Sequence, residues 1–270
     1  MNDNNSNKDN QSDPLIGAVV LPGEDVTDII NSHNKPTTMS KQQPSKIGAG
    51  LICDPLTNRV QVTHAGRLIR RKASNTFMVI SNCKRYIPAS RDRVIGIVEE
   101  RFGDYYRCNI FGPHSALLPT LAFEGATKRN KPNFSPGSIV YCRVVSAPTD
   151  ADPELSCKVG GDGLADGGAA RKDWMTDEGT YGELKGGTCV RVSIGLAREL
   201  LNPKNVVLSA LGKSLAFEVA IGVNGVLWVH SYSPEHTILI CNAIKNSEVM
   251  TPEQTRGMVK ALLTTVTGRS

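Results

Sequence analysis

Two stretches of this 270-residue chain carry side chains and spacings that could grip a polyanion. The first is the tetrapeptide Gly222, Val223, Asn224 and Gly225. Between two consecutive helices, a Gly-x-x-Gly loop clamps the backbone of single-stranded nucleic acid. Between two strands the same residues make a hairpin. Asn224–Gly225 is a strong type I′ signal, because both residue types tolerate the positive φ such a turn needs. The second stretch places Arg101, Phe102, Tyr105, Tyr106 and Arg107 on or beside one hairpin, His114 after a Gly-Pro turn, and Lys128, Arg129 and Lys131 in "TKRNKPN". Exposed rings stack on bases while cations follow the phosphates, so this mixture suits single-stranded RNA. Tyr106 and Phe111 read equally well as core. The lysines are too polar for a core, but a protein could meet them instead of RNA.

Catalytic patterns are missing. The histidines His33, His64, His114, His230 and His236 are isolated, with no HxH or HExxH spacing. No GxxxxGK[ST] phosphate loop occurs, and no GxGxxG opens a helix. The carboxylates of "DEGTYGE" and "GGDGLADGG" sit on Gly-rich backbone, a poor scaffold for metal-assisted hydrolysis. The seven cysteines include no CxxC pair, which argues against structural zinc and for reduced thiols. The expectation is a binding protein, not an enzyme, without metal or cofactor.

Charge is unevenly placed. Residues 41–87 hold nine basic and one acidic side chain, whereas residues from 148 onward hold twelve basic and fourteen acidic. A polyanion is therefore expected on the front half, by counterion release; a solvated basic face without a partner is the bland alternative. No apolar run approaches the length of a membrane span. The start of the chain has no apolar signal core, which points to a cytosolic or nuclear protein.

These residues need scaffolds, and composition separates three: a multi-domain arrangement of β plus α/β type. Residues 1–13 read as a disordered tail. Residues 14–87 alternate short Val/Ile/Thr runs with Gly, Pro and Asn, a small N-terminal β domain, with a polar loop over 31–46. Residues 88–160 predict several short strands: "RVIGIVEER" and "YYRCNIFG" around Phe102, Gly103 and Asp104, then "GSIVYCRVVSA" and "ELSCKV". With a kink at Gly96 they suit a small closed barrel. Residues 161–179 read as a linker. Residues 180–266 predict β-α-α-β-β-α plus a tail helix. Asn202 and Pro203 are expected to open the second helix, Ser233 to cap the next, and Thr251 with Gln254 to form a capping box. Since "GVNG" then falls between two alternating strands, the hairpin reading is preferred to the clamp.

"VVLPGEDV", "YIPASRDRVIGIVEERFGDYYRCNIFGPHSALLP" and "IGVNGVLWV", in this order, resemble the cap subunits of the eukaryotic RNA exosome over roughly residues 15–265. The resemblance implies an OB-fold RNA-binding barrel and a KH-type module whose Gly-x-Asn-Gly is structural, packed on the barrel. It implies a non-catalytic, RNA-binding cap that braces a six-membered ring of nuclease-like subunits. Such a cap guides RNA to a separate 3′-to-5′ exoribonuclease, beside other cap subunits, in the nucleus, nucleolus and cytoplasm. No membrane or small-molecule substrate is implied. A stand-alone RNA-binding regulator, for example in translation, is the alternative. A phosphorolytic nuclease would need two large catalytic domains for which the chain has no room.

Overall fold

The computed structural model describes residues 17–32, 45–71, 75–82, 85–148, 150–160, 179–203 and 205–267. The tail expected at 1–13, most of the polar loop over 31–46, and all but the last residue of the linker at 161–179 lie outside them. The chain forms two compact units, Met1–Asn82 and Cys83–Ser270.

In the first unit, strands β1 (Val19–Val20), β2 (Lys46–Ile47), β5 (Gly66–Arg71) and β6 (Thr76–Ile80) form a sheet of order β1-β5-β6-β2, and β3 (Leu51–Cys53) pairs with β4 (Val60–Val62). Val20, Leu68, Phe77 and Val79 line its core. The sequence anticipated strands alone, yet residues Thr27–Ser32 form a helical turn and a half, α1. Asp25 explains it: its carboxylate accepts from the Thr27 amide at 2.9 Å and from the Thr27 hydroxyl, while Ile30 drops into the core. Those two bonds stabilise the charged form, so the Asp25 carboxyl titrates below the usual carboxylate range.

The second unit begins with the expected barrel. Strands β7 (Arg93–Phe102), β8 (Tyr105–Asn109), β9 (Ala116–Pro119), β10 (Ile139–Ser146) and β11 (Glu154–Ser156) run in the order β11-β9-β8-β7-β10, and a β10–β11 pairing closes the ring. The "YIPASRD" lead-in fixes where β7 starts. Asp92 accepts from the Tyr86 hydroxyl at 2.7 Å and the Ala89 amide at 3.3 Å, and Ser90 Oγ donates to the Val145 carbonyl. Burial raises the Asp92 carboxyl above its ordinary range. Gly96, where a kink was expected, pairs in register with Val140. The irregularity lies further on, between Val98 and Glu100, where Glu99 is the extra residue opposite β8. Strand β12 (Gly182–Glu183) adds to β10, so the start of the stretch read as the third module is bonded to the barrel sheet.

Behind it come β13 (Thr188–Arg191), α2 (Ile194–Leu200), α3 (Val206–Leu211), β14 (Phe217–Gly222), β15 (Val226–Ser231), α4 (Pro234–Ser247) and α5 (Pro252–Thr267), with sheet order β13-β15-β14. The alternation read in "LAFEVAIG" holds: Leu215, Phe217, Val219 and Ile221 join the helix-facing core. Ser233 caps α4, and Thr251 and Gln254 exchange backbone-to-side-chain bonds at 3.0 and 3.4 Å as a capping box. One cap differs. Asn205, not Asn202, opens α3, accepting from the Val207 and Leu208 amides, and Pro203 stays in the connecting turn. Asn205 is nearly buried, and its side-chain amide reaches the Glu199 carbonyl that the Asn202 backbone amide also bonds.

Barrel and third module share an apolar seam. Ile95 of β7 meets Val226 and Trp228 of β15, with Phe111, Tyr141 and Cys189 around them. Burial also decides thiol chemistry. The Cys108 thiol is pushed up to about 12, and Cys142 and Cys157 are raised well above their ordinary range, whereas Cys53 is exposed. Because the thiolate is the nucleophile, iodoacetamide at neutral pH is expected to alkylate Cys53 in the native protein. It should reach Cys108, Cys142 and Cys157 only after unfolding, as read by peptide mass mapping.

Candidate nucleic-acid interface

The two stretches that opened the sequence reading have opposite fates. Gly222 and Val226 are directly paired, so the loop between β14 and β15 has three residues: Val223, Asn224 and Gly225. Only Gly225 has positive φ, at +76°, and its amide bonds the Gly222 carbonyl at 3.1 Å. The hairpin expectation holds, but the type I′ geometry does not. A three-residue loop needs a single left-handed residue, which leaves Asn224 free for another task.

That task is docking. Asn224 is 5% exposed, and its side-chain amide donates to the carbonyls of Ile95 and Ile110, both at 2.9 Å; its oxygen faces the Ile95 amide at 3.4 Å. The Val223 amide donates to the Arg93 carbonyl at 2.8 Å. A Cβ on Gly222 would strike the Asn224 side-chain oxygen and the Ile95 nitrogen, and one on Gly225 would stand 2.6 Å from the Val192 carbonyl. The tetrapeptide is thus a plug in the barrel seam, with the Val223 and Gly225 amides already bonded to backbone carbonyls and its asparagine buried.

The barrel hairpin stays open to solvent. Gly103 and Asp104 make its turn, which sets Phe102 opposite Tyr105, Arg101 opposite Tyr106 and Glu100 opposite Arg107. Side chains alternate across a strand, so Phe102, Tyr105, Glu100 and Arg107 share the outer face while Tyr106 points inward. Phe102 is 72% exposed and Tyr105 44%, but Tyr106 is wholly buried against Phe134. Its hydroxyl donates to the Pro132 carbonyl at 2.6 Å and accepts from the Phe134 amide, pinning the "TKRNKPN" loop over this end of the barrel.

That loop brings Lys128, Arg129 and Lys131 to the same end. Lys131 is tied to Asp104 at 3.0 Å, and Arg101 donates to Asn133 at 3.1 Å and lies 5.8 Å over the Tyr106 ring. The hydrogen bond from Lys131, then the positive charges of Lys131, Arg101 and Lys128, lower the Asp104 carboxyl below its usual range. Arg107 is paired with Glu100 at 2.6 Å. These carboxylates were not foreseen, although the turn position fixes the pairing that puts Glu100 beside Arg107. Five cations still stand against the two carboxylates, and Lys128 and Arg129 are exposed.

His114 does not join them. It follows β8 in the loop before β9, at the end of β8 opposite Tyr105. Phe111, in the same loop, is partly buried in the seam, under the Arg191 guanidinium at 4.5 Å. Among the described residues, no group of three or more His, Cys, Asp or Glu could hold a metal ion, and no helix is long and apolar enough to cross a membrane.

Comparison with known proteins agrees with this architecture. A family model for the S1 domain of exosome complex component RRP40 matches residues 86–167, and a KH-domain model matches residues 187–235. The exosome complex component rrp40 of Schizosaccharomyces pombe is 38% identical over 237 residues, covering 87% of this chain and 90% of that protein. The RRP40 of Mus musculus is 34% identical over 256 residues, covering 89% and 88%, and that of Homo sapiens is 31% identical over 265, covering 92% and 91%. A crystal structure of an exosome complex RNA-binding protein superposes with TM-score 0.54 over 69% of this chain and 99% of its own, at 18% identity, a likeness of fold alone. With such identities sustained along nearly the whole length of both partners, the chain belongs to the exosome complex component RRP40 family.

Proposed function

We propose that this chain is a non-catalytic RNA-binding and structural cap subunit of an RNA exosome. It braces a ring of nuclease-like subunits beside other cap subunits and guides RNA to a separate 3′-to-5′ exoribonuclease. The observation that carries the RNA-binding part is the contrast between the two glycine-rich and basic stretches. The buried Asn224 plug leaves the KH-type module without a phosphate clamp, while the barrel end presents Phe102 and Tyr105 among Arg101, Arg107, Lys128, Arg129 and Lys131. Bases stack on the exposed rings and the cations follow the strand, a mode with little sequence preference. A stand-alone regulator would need a working clamp for sequence-selective binding, and the packing of Asn224 removes it. Nuclear, nucleolar and cytoplasmic residence is part of this proposal, and fractionation of cells expressing the tagged chain checks it.

Affinity purification of the tagged chain is expected to bring down ring subunits in stoichiometric amounts; their absence would sink the assembly reading. With short oligouridylate, Phe102→Ala and Tyr105→Ala are each expected to weaken binding by about 1–3 kcal/mol, and His114→Ala much less. Equal losses at all three would contradict the geometry.

A further inference from the structure

Among the described residues, strand β13 is the outer strand of its sheet, paired with β15 on one side only. The Val192 amide donates to the Gly225 carbonyl at 2.9 Å. Bonding direction alternates along an antiparallel strand. Val190 and Thr188 therefore turn their backbone groups toward β15, and Cys189 and Arg191 turn theirs to the open edge. Beside that edge, on the helix side, runs a groove of about 560 Å³ between β13 and α4. Val190, Pro234, Ile238 and Cys241 line it, and Tyr232 stands at its rim. Ile238 is 62% exposed and Tyr232 fully so, unusual exposure for large apolar side chains at one place.

Charge decides which occupant fits. None of the lining side chains is lysine, arginine, aspartate or glutamate. A nucleic-acid strand would find no lysine or arginine in the lining to follow its row of phosphates. Just past the groove, on the α4 face that carries Ile238 and Cys241, stands exposed Lys245, close enough for its charge to act on the Cys241 thiol. We infer that the β13 edge and the β13–α4 groove bind an extended peptide of a partner protein, apolar at alternate positions and carrying a carboxylate where it reaches Lys245. The peptide adds as a further strand, bonding the free groups of Cys189 and Arg191. Every second side chain then enters the groove, the usual division of labour in strand addition. This surface is separate from the barrel end and does not depend on the RNA-binding reading.

The test uses the full chain and two fluorescein-labelled peptides of alternating leucine and threonine, one with two aspartates at its C-terminus, the other at its N-terminus. One of them is expected to bind in an anisotropy titration and to slow hydrogen exchange at the amides of Cys189 and Arg191. Ile238→Glu, at an exposed site, should weaken that peptide about tenfold without changing the melting temperature. Lys245→Glu should weaken it about fivefold and favour a lysine-ended counterpart to a similar degree. The inference is overturned if neither peptide binds, if binding survives Ile238→Glu, or if the two amides exchange unchanged. It is equally overturned if Ile238→Glu instead abolishes oligouridylate binding or self-association of the chain. Phe102→Ala, which tests the RNA surface, should leave peptide binding unaltered.

Discussion

Asn224→Ala is expected to destabilise the second unit by about 3 kcal/mol, because it strands the carbonyls of Ile95 and Ile110 in a dry seam. At about 2–4 °C per kcal/mol for a unit of this size, thermal unfolding should come roughly 6–12 °C earlier. Gly225→Asp supplies the second arm. Any Cβ there meets the Val192 carbonyl, and φ of +76° is strained for a side chain. An acid in a phosphate clamp would abolish RNA binding and spare the fold. An acid in this plug should cost stability first and leave the RNA affinity of the surviving folded protein close to that of the parent. Differential scanning fluorimetry beside an RNA titration separates the two outcomes. Unchanged melting with lost affinity would restore the clamp.

The second large effect belongs to the basic loop. Lys128→Ala, Arg129→Ala and Lys131→Ala together remove three of the five cations at the barrel end, leaving two against the carboxylates of Glu100 and Asp104. Each lost phosphate contact lowers the slope of log affinity against log salt by about 0.7 for a single strand. The triple variant should therefore lose about two units of slope and roughly 10–100-fold in affinity for oligouridylate at low salt. The fold should survive. Among the described residues the one ion pair broken is that between Lys131 and the exposed Asp104, and surface pairs contribute about 0–1 kcal/mol. An unchanged salt slope would show that the loop serves a protein and not RNA.

The helical module was readable because its cues are local. Ser233 before Pro234, Thr251 three residues before Gln254, and the alternation of "LAFEVAIG" each act within a few residues. The barrel strands were readable for the same reason, since hairpin pairing around Gly103 and Asp104 follows from the turn. The N-cap of α3 was misplaced because Asn202 and Asn205 are equivalent in propensity. The choice fell to Asn205, whose amide reaches back to Glu199 while its oxygen meets two helix amides. The turn type was misjudged because Asn-Gly scores as a pair, whereas here Gly225 alone takes the left-handed conformation.

By itself, then, the chain's order of residues determined the elements, the position of the glycine tetrapeptide between strands and the gathering of cations and rings around one hairpin. Periodicity, capping and turn chemistry all work over short separations. Only the tertiary structure decided what Asn224 is for, with Ile95 lying 129 residues away in the chain. It alone decided that Tyr106 is core while Tyr105 is surface, that Lys131 and Arg107 are partly neutralised, and that His114 stands apart. Those outcomes depend on which strands become neighbours and how closely they pack, and on the desolvation that makes one buried amide decisive where an exposed one would change little.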